Sequence, residues 1–332
     1  MLYKISISDF VLKNNKKLSN IELSYQIFGQ PIGNSPIILV NHALTGNSNV
    51  AGENGWWNSL IGNNKTIDTE IFTVLAFNIP GNGYDEESYN LIQNYKDFTT
   101  SDMAAIFWKG LSQLNVESLF AVIGGSLGGG IAWEMAKLYP NNIKNLIPIA
   151  ADWKATDWVI ANVLVQDNIL NNSENPIEVA RAHAMLLYRT PESFKEKFRR
   201  GFVQNSDEFT IERWLKNHGI KLKNRFELSS YKLMNHLLKT ISVAKTDTEF
   251  VWIAKNITAN IHIVSIDSDA FFTAKENKLS YEYLSALKNE VWYHEIKSIH
   301  GHDAFLIEFE QLNKLLKPIF SDVKKWVEPS FN

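Results

Sequence analysis

The chain has 332 residues, of which 45% are hydrophobic and 21% charged, with a formal net charge of −3. This composition excludes disordered and fibrous chains, and the slightly acidic balance gives no electrostatic footprint for nucleic acid. Cysteine is absent, which removes disulfides, thiolate metal sites and a cysteine nucleophile together.

Met1 to Ser6 alternates polar and apolar residues as a strand does, and no basic segment followed by a long apolar run opens the chain. No apolar stretch reaches the roughly 20 residues that cross a bilayer. The expected location is therefore the cytoplasm, with no membrane partner. Short β-branched runs follow at Pro36 to Val40, Phe72 to Phe77, Leu119 to Ile123, Ile143 to Ile149, Ile261 to Ile266 and Val291 to Ile296. They alternate with amphipathic helical stretches, which predicts an α/β protein with a mostly parallel sheet covered by helices on both faces. Between residues 152 and 255 the strand signal fades into successive helices. Because the length exceeds the usual single domain, the expected organisation is an α/β core over residues 1–151 and 256–332 with a helical lid inserted over 152–255.

The run Leu119 to Ile123 reads as a buried strand, and Ile131 to Leu138 as a helix with Ile131, Met135 and Leu138 on its apolar face. Gly124 to Gly130, with Gly124-Gly125-Ser126-Leu127-Gly128 at its centre, must turn sharply between them. Glycines at the flanking positions let strand and helix approach closely, so the turn exposes the Ser126 hydroxyl as a nucleophile. A phosphate loop would use a similar junction, but no lysine follows these glycines. Strand, elbow and helix in this order predict the α/β-hydrolase fold.

A serine hydroxyl needs a histidine base oriented by a carboxylate, and in this fold the acid and then the histidine follow the serine in sequence. Asp267-Ser268-Asp269 follows the predicted strand at Ile261, and His300-Gly301-His302-Asp303 follows the one at Val291. The local sequence leaves Asp267 and Asp269 open as the acid, and His300 and His302 open as the base. A zinc site at the two histidines would need a third ligand, and no other histidine-rich cluster is present, so no metal is expected. His183, His218, His236, His262 and His294 carry no motif.

Several segments together resemble the homoserine O-acetyltransferase family of α/β-hydrolase-fold acyltransferases over nearly the whole chain. They are Asn41-His42-Ala43-Leu44-Thr45-Gly46, Gly55-Trp56-Trp57 with Ile67-Asp68-Thr69, and the turn Gly124 to Gly129, where Leu127 stands in a position more often held by Met. In the lid they are Ala180-Arg181 with Tyr188-Arg189, and Arg225-Phe226 with Ser230-Tyr231. Ser268-Asp269 with Phe272 resembles the family's acid loop, and Gly301-His302-Asp303-Ala304-Phe305-Leu306 its histidine loop. Two segments depart from the family: Asn78 to Tyr84 keeps only part of a Gly-rich pattern, and the lid is shortened around Asn171 to Pro176.

The resemblance selects Asp269 and His302 to complete a triad with Ser126. It implies a ping-pong transfer of an acetyl group from acetyl-CoA to the hydroxyl of homoserine through an acyl-serine, with acetyl-CoA as a substrate and no cofactor. The fold implies an oxyanion hole formed by the backbone amides of Leu44 and Leu127. Arg181 is implied as the partner of the substrate carboxylate and Asp303 as the partner of its ammonium. Residues 181–225 hold eleven Lys or Arg against five Asp or Glu, which suits a phosphate-bearing donor or a solvated helical face equally. The same triad would also serve an esterase or thioesterase. Exposed apolar lid helices would suit a homodimer.

Overall fold

The computed structural model describes residues 1–321 and residue 323. Its main sheet has eight strands: β1 (Tyr3–Val11), β2 (Lys17–Gly29), β3 (Ile37–Asn41), β4 (Thr73–Phe77), β5 (Leu119–Gly125), β6 (Ile143–Ile149), β7 (Asn260–Ile266) and β8 (Val291–Ile296), in spatial order β1-β2-β4-β3-β5-β6-β7-β8. β1 pairs antiparallel with β2, and β2 antiparallel with β4. All pairings from β4 to β8 are parallel.

Burial follows position in the sheet. β3, β4 and β5 are buried at every residue, as strands covered by helices on both faces must be. β1 is an edge strand that buries Ile5, Ile7 and Phe10 and exposes their neighbours. Helices α1 (Thr100–Gln113), α2 (Leu127–Leu138), α8 (Asp247–Ala254), α9 (Ala274–Ser285) and α10 (Phe309–Ser321) join or flank these strands. No helix among the described residues is long and apolar enough to cross a membrane.

Five further helices, α3 (Asp157–Asn172), α4 (Pro176–Tyr188), α5 (Pro191–Phe198), α6 (Thr210–Lys223) and α7 (Leu228–Lys239), form the inserted layer. A short antiparallel neck ties its entry to its exit: Ala155 N donates to Ile241 O at 2.8 Å, and Val243 N donates to Trp153 O at 3.0 Å. The insertion thus ends near Val243 rather than at residue 255. Helix α8, which sequence assigned to the lid, packs on the core instead: its Phe250 stacks on Trp153 at 4.0 Å and meets Trp133 of α2 edge-on at 5.7 Å. The C-terminal part of the expected core, residue 322 and residues 324–332, lies outside the described residues.

Candidate active site

The nucleophile turn is tighter than the sequence reading placed it. Helix α2 begins at Leu127, so Gly128, Gly129 and Gly130 are its first turn rather than part of a loop, and Leu138 at its far end is exposed rather than apolar-face core. The chain reverses on Ser126 alone, whose backbone is held at φ 55°, ψ −124°, a strained region for a residue with a Cβ. The ladder anchors it, with Ser126 N donating to Ile149 O at 2.9 Å. Close approach explains the glycines: a Cβ on Gly128 would stand 2.3 Å from Asn41 O, and one on Gly124 would stand 2.5 Å from the Gly128 carbonyl carbon.

Three side chains from three loops meet at this turn. Ser126 Oγ lies 2.9 Å from His302 Nε2, and His302 Nδ1 lies 2.7 Å from Asp269 Oδ2. The other carboxylate oxygen, Oδ1, accepts from Phe271 N at 2.7 Å and Phe272 N at 3.0 Å. Held by these three hydrogen bonds, the carboxylate fixes the imidazole tautomer that leaves Nε2 free to accept the serine proton. Burial pulls the His302 pKa down, but the charge and hydrogen bond of Asp269 together with the charge of Asp303 outweigh it, and the net shift is upward. Tyr188, Phe271, Phe272 and Phe305 enclose the ring. Ser126, Asp269 and His302 are 5%, 5% and 3% exposed, so bulk water has little access to the reacting atoms.

The other member of each pair has partners of its own. Asp267 Oδ1 accepts from Ser298 N at 2.9 Å, joining the acid loop to the histidine loop. His300 faces away from the serine, its Nδ1 2.9 Å from Ser193 Oγ of α5. Among the described residues no group of three His, Asp or Glu gathers to hold a metal.

The Leu44 amide lies in the loop after β3 and the Leu127 amide at the α2 N-terminus, and neither donates to a protein acceptor among the described residues. The α2 N-terminus adds its positive end to that space. Sequence reasoning gave His42 no role, yet it shapes this loop. Its Nδ1 lies 2.7 Å from Ala43 O and its Nε2 accepts from Ile79 N at 2.9 Å. The two contacts require a neutral ring protonated on Nδ1, in keeping with a pKa lowered to about 4 by burial. Its place directly after β3, at the start of the loop that carries Leu44, was the available signal. Arg225 braces the same loop, with Nη1 donating to Thr45 O at 2.9 Å.

Arg181 lies on α4 with its guanidinium 5.8 Å from the centre of the Tyr188 ring, and it forms no ion pair with a carboxylate among the described residues. Asp303, the expected ammonium partner, stands beside His302 in the histidine loop and carries an ion pair of its own. Its Oδ2 is already bound by Arg189 Nε at 3.0 Å, a partner the sequence quoted but gave no task. Tyr188 is half-buried, and its hydroxyl is pushed up to about 12, first by desolvation, so it stays protonated.

A model of the alpha/beta hydrolase fold family matches residues 36–248. The homoserine O-acetyltransferase of Cyclobacterium marinum is 31% identical over 330 residues, covering 93% of this chain and 92% of that one. That of Methanococcus vannielii is 31% identical over 355 residues, covering 95% of this chain and 71% of its own. Among solved structures, a homoserine O-acetyltransferase from Bacillus anthracis superposes with TM-score 0.86 at 18% identity, covering 96% of this chain and 97% of that one. Esterase E22 superposes with TM-score 0.83 at 17% identity, covering 96% and 100%. The two superpositions speak to the fold, which acetyltransferases and esterases share.

Proposed function

The chain belongs to the homoserine O-acetyltransferase family of the α/β-hydrolase fold, and on that premise we propose that it moves an acetyl group from acetyl-CoA to the hydroxyl of L-homoserine, a cytoplasmic step of methionine biosynthesis. The observation that carries the chemistry is the continuous contact Asp269–His302–Ser126, at 2.7 and 2.9 Å, in a nearly water-free site beneath the lid.

In the first half-reaction His302 Nε2 takes the Ser126 proton as Oγ attacks the thioester carbonyl. The oxyanion is held by the amides of Leu44 and Leu127, each such donor typically contributing about 3 kcal/mol. Collapse breaks the carbon–sulfur bond, the proton on His302 passes to the leaving thiolate, and acetyl-serine remains. In the second half the homoserine hydroxyl gives its proton to His302 and attacks the acetyl-serine, and the proton returns to Ser126 Oγ as the ester leaves. Asp269 stabilises the imidazolium in both halves. Arg181 receives the acceptor's carboxylate, for which the guanidinium fork is suited, and Asp303 receives its ammonium. No cofactor enters, since acetyl-CoA is consumed as a substrate.

Hydrolysis by the same triad is the rival outcome. Transfer is supported by the low exposure of Ser126 and by two oppositely charged groups near Tyr188 and His302, Arg181 beside the Tyr188 ring and Asp303 next to His302. Water needs neither. Incubation with acetyl-CoA alone should add one acetyl mass at Ser126, and Ser126→Ala should abolish both that mass and turnover. Homoserine should then accelerate release of CoA and yield O-acetylhomoserine. CoA release indifferent to homoserine would make the protein a hydrolase.

The same reading includes self-association. Ile160 and Leu164 on α3, with Val179 and Leu186 on α4, are 42%, 61%, 44% and 54% exposed, and each pair shares a helix face by spacing. A second copy of the chain buries this face. Sedimentation should give a dimer that Leu164→Glu splits, and a wild-type monomer at micromolar concentration would refute it.

A further inference from the structure

The lid meets the histidine loop along one seam. Thr190 Oγ1 donates to Ile299 O, Ser193 Oγ pairs with His300 Nδ1 at 2.9 Å, and the Tyr188 ring lies 5.4 Å from that of His302. Gly301, at φ +67°, lets the two chains touch: a Cβ there would stand 3.0 Å from Tyr188 O. In the middle of this seam Arg189 donates from Nε to Asp303 Oδ2 at 3.0 Å, and the two side chains are 17% and 16% exposed. Asp303 Oδ1 has no hydrogen-bond partner among the described residues.

We propose that Arg189 is a positioning residue for the acceptor: it holds Asp303 by Oδ2 so that Oδ1 is presented to the substrate ammonium group. The inference rests on the reading of Asp303 as the ammonium partner. A partly buried carboxylate one residue from His302 would otherwise be free to turn towards the imidazole, whose cationic form attracts it. Arg189 removes that freedom before the substrate arrives, so binding does not have to order the side chain. The planar guanidinium fixes direction as well as charge, which an ammonium on a flexible stem does less well. Because Arg189 caps α4, the lid itself sets the angle at which the acceptor is received.

Steady-state and single-turnover kinetics of the full-length protein with acetyl-CoA separate the possibilities. Arg189→Gln should raise the homoserine KM about 10-fold or more while acetyl-serine formation from acetyl-CoA stays within about twofold. Arg189→Lys should recover only part of the loss, because the charge remains but the planar fork that fixes direction does not. An unchanged homoserine KM in Arg189→Gln, with a raised KM in Asp303→Asn, would overturn the positioning role and leave the ammonium reading intact. Unchanged KM in both variants would remove the ammonium reading and this inference with it. Equal slowing of both half-reactions would mean that Arg189 only maintains the loop, and would also overturn the proposal.

Discussion

The contrast between Asp269 and Asp267 is decided by a few ångströms of loop. Both follow β7, but only Asp269 turns its carboxylate onto the imidazole, while Asp267 serves the backbone of Ser298. Asp269→Asn would present an amide to Nδ1 and favour the wrong tautomer, so kcat should fall on the order of 10⁴. Asp267→Asn keeps an acceptor for Ser298 N and should cost less than about tenfold. Comparable losses would mean that the acid has been assigned wrongly. The pH profile follows from the same contacts. His302 works as a base only when neutral, and its pKa lies above the ordinary 6.5, so the acidic limb of kcat/KM should titrate above that value. Removing the Asp269 charge should move it to lower pH.

At the scale of elements, β5, the elbow and α2 act as one rigid part. The strained backbone of Ser126 is held because the β5–β6 ladder and the first turn of α2 fix it from both sides. Gly128 is where α2 touches the β3 loop that carries Leu44, with no space for a methyl group. Gly128→Ala should therefore push helix and loop apart, costing about 1–3 kcal/mol in urea unfolding, and should lower kcat by widening the oxyanion hole. A variant with full stability and full activity would show that the contact has slack. The glycine run was legible in sequence as a tight turn. Its assignment to a loop failed because glycine is a weak helix former, and here the need for close packing overrides propensity.

For the whole molecule, acid should be destabilising. Burial is the first cause that lowers His42, His218, His236 and His262 to about 4. The unfolded chain takes up protons at these rings near 6.5 while the folded chain does not. The stability present above 6.5 is thus lost progressively as pH falls towards 4. Asp152 acts in the opposite sense: burial raises it from 3.8 to about 7, so its contribution is full below 3.8 and fades as pH rises through 7. With His183 and His294 also lowered, six imidazoles stand against Asp152, Glu134 and the raised His302, so acidification gives a net loss and the urea midpoint should be lower at pH 5 than at pH 7. An equal or higher midpoint at pH 5 would show that these rings protonate freely in the fold.

The α/β class and seven of the eight strands are legible in the sequence, β1 through the alternation of Met1 to Ser6 and the other six because burial on both sheet faces writes continuous β-branched runs, and the glycine–serine spacing announces the tight turn at Ser126. Strand β2 escaped attention since its partly exposed antiparallel pairing leaves a weaker pattern. The sequence also supplied two candidates each for acid and base, and only the resemblance of the flanking residues favoured Asp269 and His302. Tertiary structure decided what spacing cannot encode. The neck bonds between Ala155 and Ile241 and between Val243 and Trp153 set where the lid ends, and the core packing of Phe250 assigns α8. The pairing of Arg189 with Asp303 spans more than a hundred residues, so no local pattern announces it. Contacts of that kind are created when loops from distant strands converge at one edge of the sheet, and they exist only once the chain has folded.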